Sequence, residues 1–68
     1  MKMRFDGIPI GEFYFSSYKM SIYQKIEELK GKFIKDIQEN QYGALDIYNY
    51  LPDEQREVLT EEEKAQYL

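Results

Sequence analysis

Carboxylates are the most numerous chemistry-bearing groups in this chain: thirteen Asp and Glu stand against nine Lys and Arg, with no histidine and no cysteine. Seven of them, Asp46, Asp53, Glu54, Glu57, Glu61, Glu62 and Glu63, crowd into the last third of the sequence beside Tyr48, Tyr50 and Tyr67. Displayed on short helices, such a set could imitate a phosphate backbone and occupy a nucleic-acid-binding groove on another protein. The plainer alternative is a solvated acidic face whose carboxylates complement helix N-termini. Metal binding has little support, because no EF-hand spacing is present and successive carboxylates at Glu61, Glu62 and Glu63 point in different directions around a helix.

Other chemistries are thinner. Without histidine or cysteine the chain lacks the commonest general base, the commonest zinc ligands and a thiol nucleophile. Ser16, Ser17 and Ser21 therefore have no imidazole to activate them, and Gly7, Gly11, Gly31 and Gly43 are too dispersed for a phosphate-cradling loop. No catalytic residue, metal or cofactor is expected. A second reading is direct DNA or RNA binding by Lys19, Lys25, Lys30, Lys32 and Lys35 with the stacking run Phe13-Tyr14-Phe15. It is disfavoured because Glu27, Glu28, Asp36 and Glu39 interleave with those lysines, and Glu28 with Lys32 makes a favourable i, i+4 pair.

The elements that would position these groups follow from periodicity. Ile22, Ile26, Leu29, Phe33 and Ile37 recur at helical spacing and fall within an arc of about 80°. Gln24, Glu28, Lys32, Lys35 and Glu39 lie opposite. Ser21 with Gln24 resembles a capping box and Asn40 suits the far end, so the spacing predicts a long helix over 21–40. Gly31 is discordant there, costing up to about 1 kcal/mol relative to Ala, on the polar side where a partner backbone could approach.

In residues 1–17, Asp6-Gly7 is a type I′ turn signal that pairs Phe5 with Ile8 and Met3 with Ile10 in a hairpin, the second strand resuming through Phe13, Tyr14 and Phe15. After a turn at Gln41-Tyr42-Gly43, Ala44, Ile47, Tyr48 and Leu51 match the helical template, with a strand over 45–50 as the competing reading. Pro52 ends either one. Asp53 then caps a short helix to Leu59, and Thr60 with Glu63 forms a capping box that opens a last helix at Glu61.

The fold expected is α+β: one small domain over 1–68, with a β-hairpin at 1–17 packed on the 21–40 helix and two or three short acidic helices over 43–68. At 43% hydrophobic and 16% aromatic the composition is globular, but a chain this short buries little, so a homodimer is a reasonable way to bury more. Absence of cysteine, of a long apolar run and of an apolar leader leads to the expectation of a cytoplasmic protein without a membrane anchor. Abundant Ile, Lys and Tyr fit an AT-rich source such as a low-GC bacterium or its phage. Residues 1–36 carry seven basic against five acidic residues, net +2, and residues 37–68 two against eight, net −6. The function expected is a non-enzymatic inhibitor or regulator that binds a host nucleic-acid-processing protein through Asp46, Tyr50, Asp53, Glu54, Glu57, Glu61, Glu62 and Glu63. A self-assembling structural subunit is the third reading.

Overall fold

A computed structural model describes residues 1–37, 41–42 and 46–68. The order is β1 (Lys2–Arg4), a 3-10 turn (Phe5–Gly7), β2 (Phe13–Phe15), β3 (Ser21–Glu27), β4 (Lys30–Asp36), β5 (Gln41–Tyr42), β6 (Ile47–Asn49), β7 (Gln55–Glu57) and the helix α1 (Glu61–Tyr67). β2, β3 and β4 form an antiparallel sheet, and β5 and β6 both pair with the outer edge of β4. β1 and β7 make a separate antiparallel ribbon, tied to β2 by a bridge between Tyr14 and Val58.

The chain is thus mostly β, and the α+β arrangement of a hairpin on a long helix is not what forms. The 21–40 helix is replaced by β3 and β4, joined through Glu28-Leu29. The reason lies in how these strands are covered. Tyr14 pairs with Tyr23 on one face and belongs with Phe5 and Ile8, whereas Phe15 pairs with Ile22 on the other and belongs with Leu59. A strand clad on both faces carries apolar residues at both parities, so the alternation that announces a strand is lost. Ile26 in β3 and Ile34 in β4 also fall at register shifts, which displace the pattern further. Neither Glu28 nor Leu29 takes a positive φ, so no Asn-Gly type of signal marked the turn.

The expected hairpin tip at Asp6-Gly7 is a 3-10 turn instead, closed by the Ile8 N–H on the Phe5 carbonyl at 3.1 Å. β1 finds its partner 53 residues further on, with Met3 opposite Arg56 in β7 rather than opposite Ile10. Phe5 decides this: it is fully buried, and its N–H donates to the Glu54 carbonyl at 2.6 Å. Burying that ring stabilises by roughly 1.5–3 kcal/mol, more than a local turn preference supplies. The helix expected from Asp53 to Leu59 is a turn followed by β7, and the segment read as helical around Tyr48 is β6, the competing strand reading. The Asn40 helix end, Gly43 of the expected turn and the Ala44 helix start fall at 38–40 and 43–45, outside the described residues.

Local signals held where no distant partner competes. Thr60 Oγ1 accepts from the Glu63 N–H at 3.1 Å, and Glu63 Oε1 accepts from the Thr60 N–H at 2.9 Å, opening α1 at Glu61. Phe13, Tyr14 and Phe15 are a strand, with β3 rather than β1 as partner.

Two internal features hold the sheet faces. Tyr14 is fully buried, packed edge-on against Phe5 at 5.4 Å and parallel to Tyr23 at 5.8 Å. A Cβ added to Gly31 would overlap the Tyr14 hydroxyl and stand 2.9 Å from Cζ, so the glycine exists to admit this ring. Lys25, 1% exposed, donates from Nζ to the Phe5 carbonyl at 2.7 Å and lies 4.9 Å from the centre of the Phe5 ring.

Gly31→Ala is expected to cost about 1–3 kcal/mol or more by overpacking against Tyr14. The same change in a Tyr14→Phe background should cost less, because the overlapping oxygen is gone; equal losses in urea denaturation of both would disprove the contact. Lys25→Met is expected to stay within about 1 kcal/mol of the parent, since the Phe5 carbonyl keeps its Ile8 donor. Lys25→Ala, which leaves a void, should lose about 2–5 kcal/mol. A Met variant as unstable as the Ala variant would show that the ammonium, not its stem, is what matters.

Candidate functional site

β2 and β3 are joined by a turn that Ser16 organises: its Oγ accepts the Met20 and Ser21 N–H groups, each at 3.1 Å, and its carbonyl accepts the Lys19 N–H at 2.9 Å. Lys19 holds φ at 55° there and ion-pairs with Glu57 of β7, tying the turn to the ribbon. Between this turn, the ribbon and the end of β6 lies a cleft of about 270 Å³ lined by Ser16, Ser17, Tyr23, Tyr48, Asn49, Tyr50, Glu54 and Arg56. A second hollow of about 220 Å³ shares Ser16, Ser17 and Arg56 with it and adds Lys2, Lys19, Gln55 and Glu57.

The wall of the first cleft is aromatic. Tyr48 is 45% exposed and meets Tyr23 edge-on at 5.4 Å; Tyr23 in turn meets Phe33 at 5.5 Å. Tyr50 is half-buried, stacked on Phe5 at 4.2 Å, with the Arg56 guanidinium 5.3 Å from the ring centre. Arg56 also donates to Glu54 at 3.4 Å, and Glu54 accepts the Leu51 N–H at 2.6 Å. Arg56 therefore presents a cation held in place by a ring and a carboxylate.

Of the eight residues expected to form a binding surface, Tyr50, Glu54 and Glu57 line these hollows. Asp46 is exposed at the entry to β6, near enough to Tyr23 to influence its ionisation. Asp53 is exposed in the turn before β7. Glu61 and Glu63 lie on α1, paired with Lys64 at 3.1 Å and with the Thr60 N–H respectively, and Glu62 is exposed there. The eight do not form one surface. Ser16, Ser17, Tyr23, Asn49 and Arg56 were not expected at the site. The available signal was the alternation of Asp46, Tyr48 and Tyr50, which a strand places on one face.

The helix lysines of the alternative reading are likewise dispersed: Lys25 is buried, Lys30 pairs with Glu27 at 3.2 Å and Lys35 donates to the Tyr67 carbonyl at 2.6 Å. Tyr14 and Phe15 are buried and offer no ring to a base. Among the described residues no group of three or more Asp or Glu is placed to hold a metal, and no helix is long and apolar enough to cross a membrane. No protein-family model, curated protein or solved structure matches the chain.

Burial raises the phenols. Tyr23 is pushed up to about 12, chiefly by desolvation and then by Tyr48; Tyr14 and Tyr50 rise above their ordinary 10.0 for the same first reason. A phenol whose pKa is higher folded than unfolded stabilises the fold fully below the unfolded value, and that contribution is lost as pH climbs through the folded one. Stability is therefore expected to fall as pH rises above about 10. Urea midpoints measured across this range, with tyrosinate absorbance followed in parallel, should drop as ionisation and unfolding proceed together. Three tyrosines ionising at their ordinary value with an unchanged midpoint would refute the assignment.

Proposed function

We propose that this protein is a non-enzymatic interaction module that grips a protein partner through the Tyr23, Tyr48 and Tyr50 cleft. What carries the reading is the lining itself: rigid phenol rings, small hydroxyl and amide side chains and one restrained guanidinium, converging from β3, β6, β7 and the Ser16 turn. Tyrosine supplies large contact area with two rotatable angles, Ser and Asn supply adaptable hydrogen bonds, and Arg supplies a fixed cation, a mixture like that of antibody-type recognition surfaces. The partner class is a host protein that processes nucleic acid. Asp46, Asp53 and Glu62, whose carboxylates are exposed, would then steer a basic partner toward the cleft.

The test is affinity capture with purified nucleic-acid-processing proteins of a low-GC bacterium. Ser17→Trp, which fills the cleft from an exposed turn, and Tyr48→Ala are each expected to weaken capture by about thirtyfold, as loss of a central interface residue does. Glu62→Lys with Asp53→Lys should mainly slow association. Capture that survives both cleft variants at full strength would end this proposal.

A further inference from the structure

The outer edge of β6, the side away from β4, is a feature that the cleft does not account for. The Phe33 N–H donates to the Asp46 carbonyl and the Tyr50 N–H to the Leu29 carbonyl, both at 2.9 Å, while Gly31 stands opposite Tyr48. In an antiparallel ladder the inward-bonding residues alternate with outward-facing ones. Asp46, Tyr48 and Tyr50 therefore turn their backbone groups toward β4, and Ile47 and Asn49 turn theirs away from it. Among the described residues no strand pairs with that outer side. Ile47 is 55% exposed and Leu51 65%, and 46–51 holds no lysine, arginine, proline or bulge of the kind that guards an edge. β1, an edge of the separate β1–β7 ribbon, by contrast carries Lys2 and Arg4.

We infer that β6 is the interface of a homodimer, formed by antiparallel pairing with β6 of a second copy about a twofold axis through Tyr48. The phase of the outward groups fixes the register. Ile47 of one copy faces Asn49 of the other in a pair that exchanges two hydrogen bonds, the symmetric pair exchanges two more, and the two Tyr48 rings meet across the axis at the closer, non-hydrogen-bonded position. Charge permits it: Asp46 falls opposite Tyr50 of the second copy, so no like charges oppose. The three-residue edge buries less than the roughly 1,200 Å² of a standard interface, which makes the dimer a weak one that forms with concentration. Pairing also places the two tyrosine clefts on one continuous sheet, so a partner with repeated sites would be held twice.

Sedimentation velocity of the purified chain over a concentration series reads this without any partner. The weight-average mass should rise from 8.2 kDa toward twice that value. Ile47→Pro and Asn49→Pro each delete an outward donor and no bond to β4, so the fold should persist while the rise disappears. A second pair of variants tests the register independently of proline. Ile47→Lys with Asn49→Glu sets opposite charges across the axis and should keep the dimer, whereas Ile47→Lys with Asn49→Lys sets like charges and should weaken it by about tenfold or more. A monomer at every concentration, or a dimer equally strong in the two lysine variants, would overturn the inference.

Discussion

Tyr14 reaches from β2 across β3 to β4, and the backbone of Gly31 is the floor on which its phenol rests. Phe5, Tyr23 and Tyr50 pack against the same ring from the 3-10 turn, from β3 and from the segment after β6. One side chain therefore fixes how four parts of the chain approach one another. A side chain at position 31 would push it off the sheet, and with it the Phe5–Tyr50 stack that supports the cleft. In so small a domain, where little surface can be buried, such a concentration of aromatic area replaces a larger aliphatic core.

The second face of the sheet is held differently. α1 covers Phe15, Ile22 and Leu59 through Tyr67, which meets Phe15 edge-on at 6.0 Å. The helix is short, and it is fastened by its capping box at one end and by Lys35 on the Tyr67 carbonyl at the other. Lys64 adds an ion pair to Glu12 at 3.1 Å, but exposed pairs of this kind contribute little. Part of the acid-rich character of the second half is consumed in such local duties: Glu54 and Glu63 accept backbone N–H groups, and Glu57 takes Lys19, which holds its carboxyl below the usual range.

The cleft depends on both arrangements. Its aromatic wall belongs to the Tyr14 cluster, while its hydroxyl rim comes from a turn that Ser16 closes and the Lys19–Glu57 pair docks. The cleft residues are thereby mounted on or beside strands and on a braced turn, so under the proposed function little ordering would remain to oppose binding.

How much of this was legible differs by element. The Thr60–Glu63 box, the Phe13–Phe15 strand and the stop at Pro52 were readable, because each depends on residues within a few positions of one another. The spacing predicts a long helix where β3 and β4 form because these strands are covered on both faces, and Ile22, Ile26, Leu29, Phe33 and Ile37 then coincide with a helical period that no helix uses. Of the site, Tyr50 and the acids were visible as residue types, but not that Tyr50 would half-bury or that Glu61 to Glu63 would sit on a separate helix. Composition, charge asymmetry and the local caps and turns could be read from the residues alone. Which strands pair, why position 31 is glycine and which tyrosines share a cleft emerge with the folded arrangement, since those outcomes rest on burial between residues far apart in the chain, where local preference carries no information.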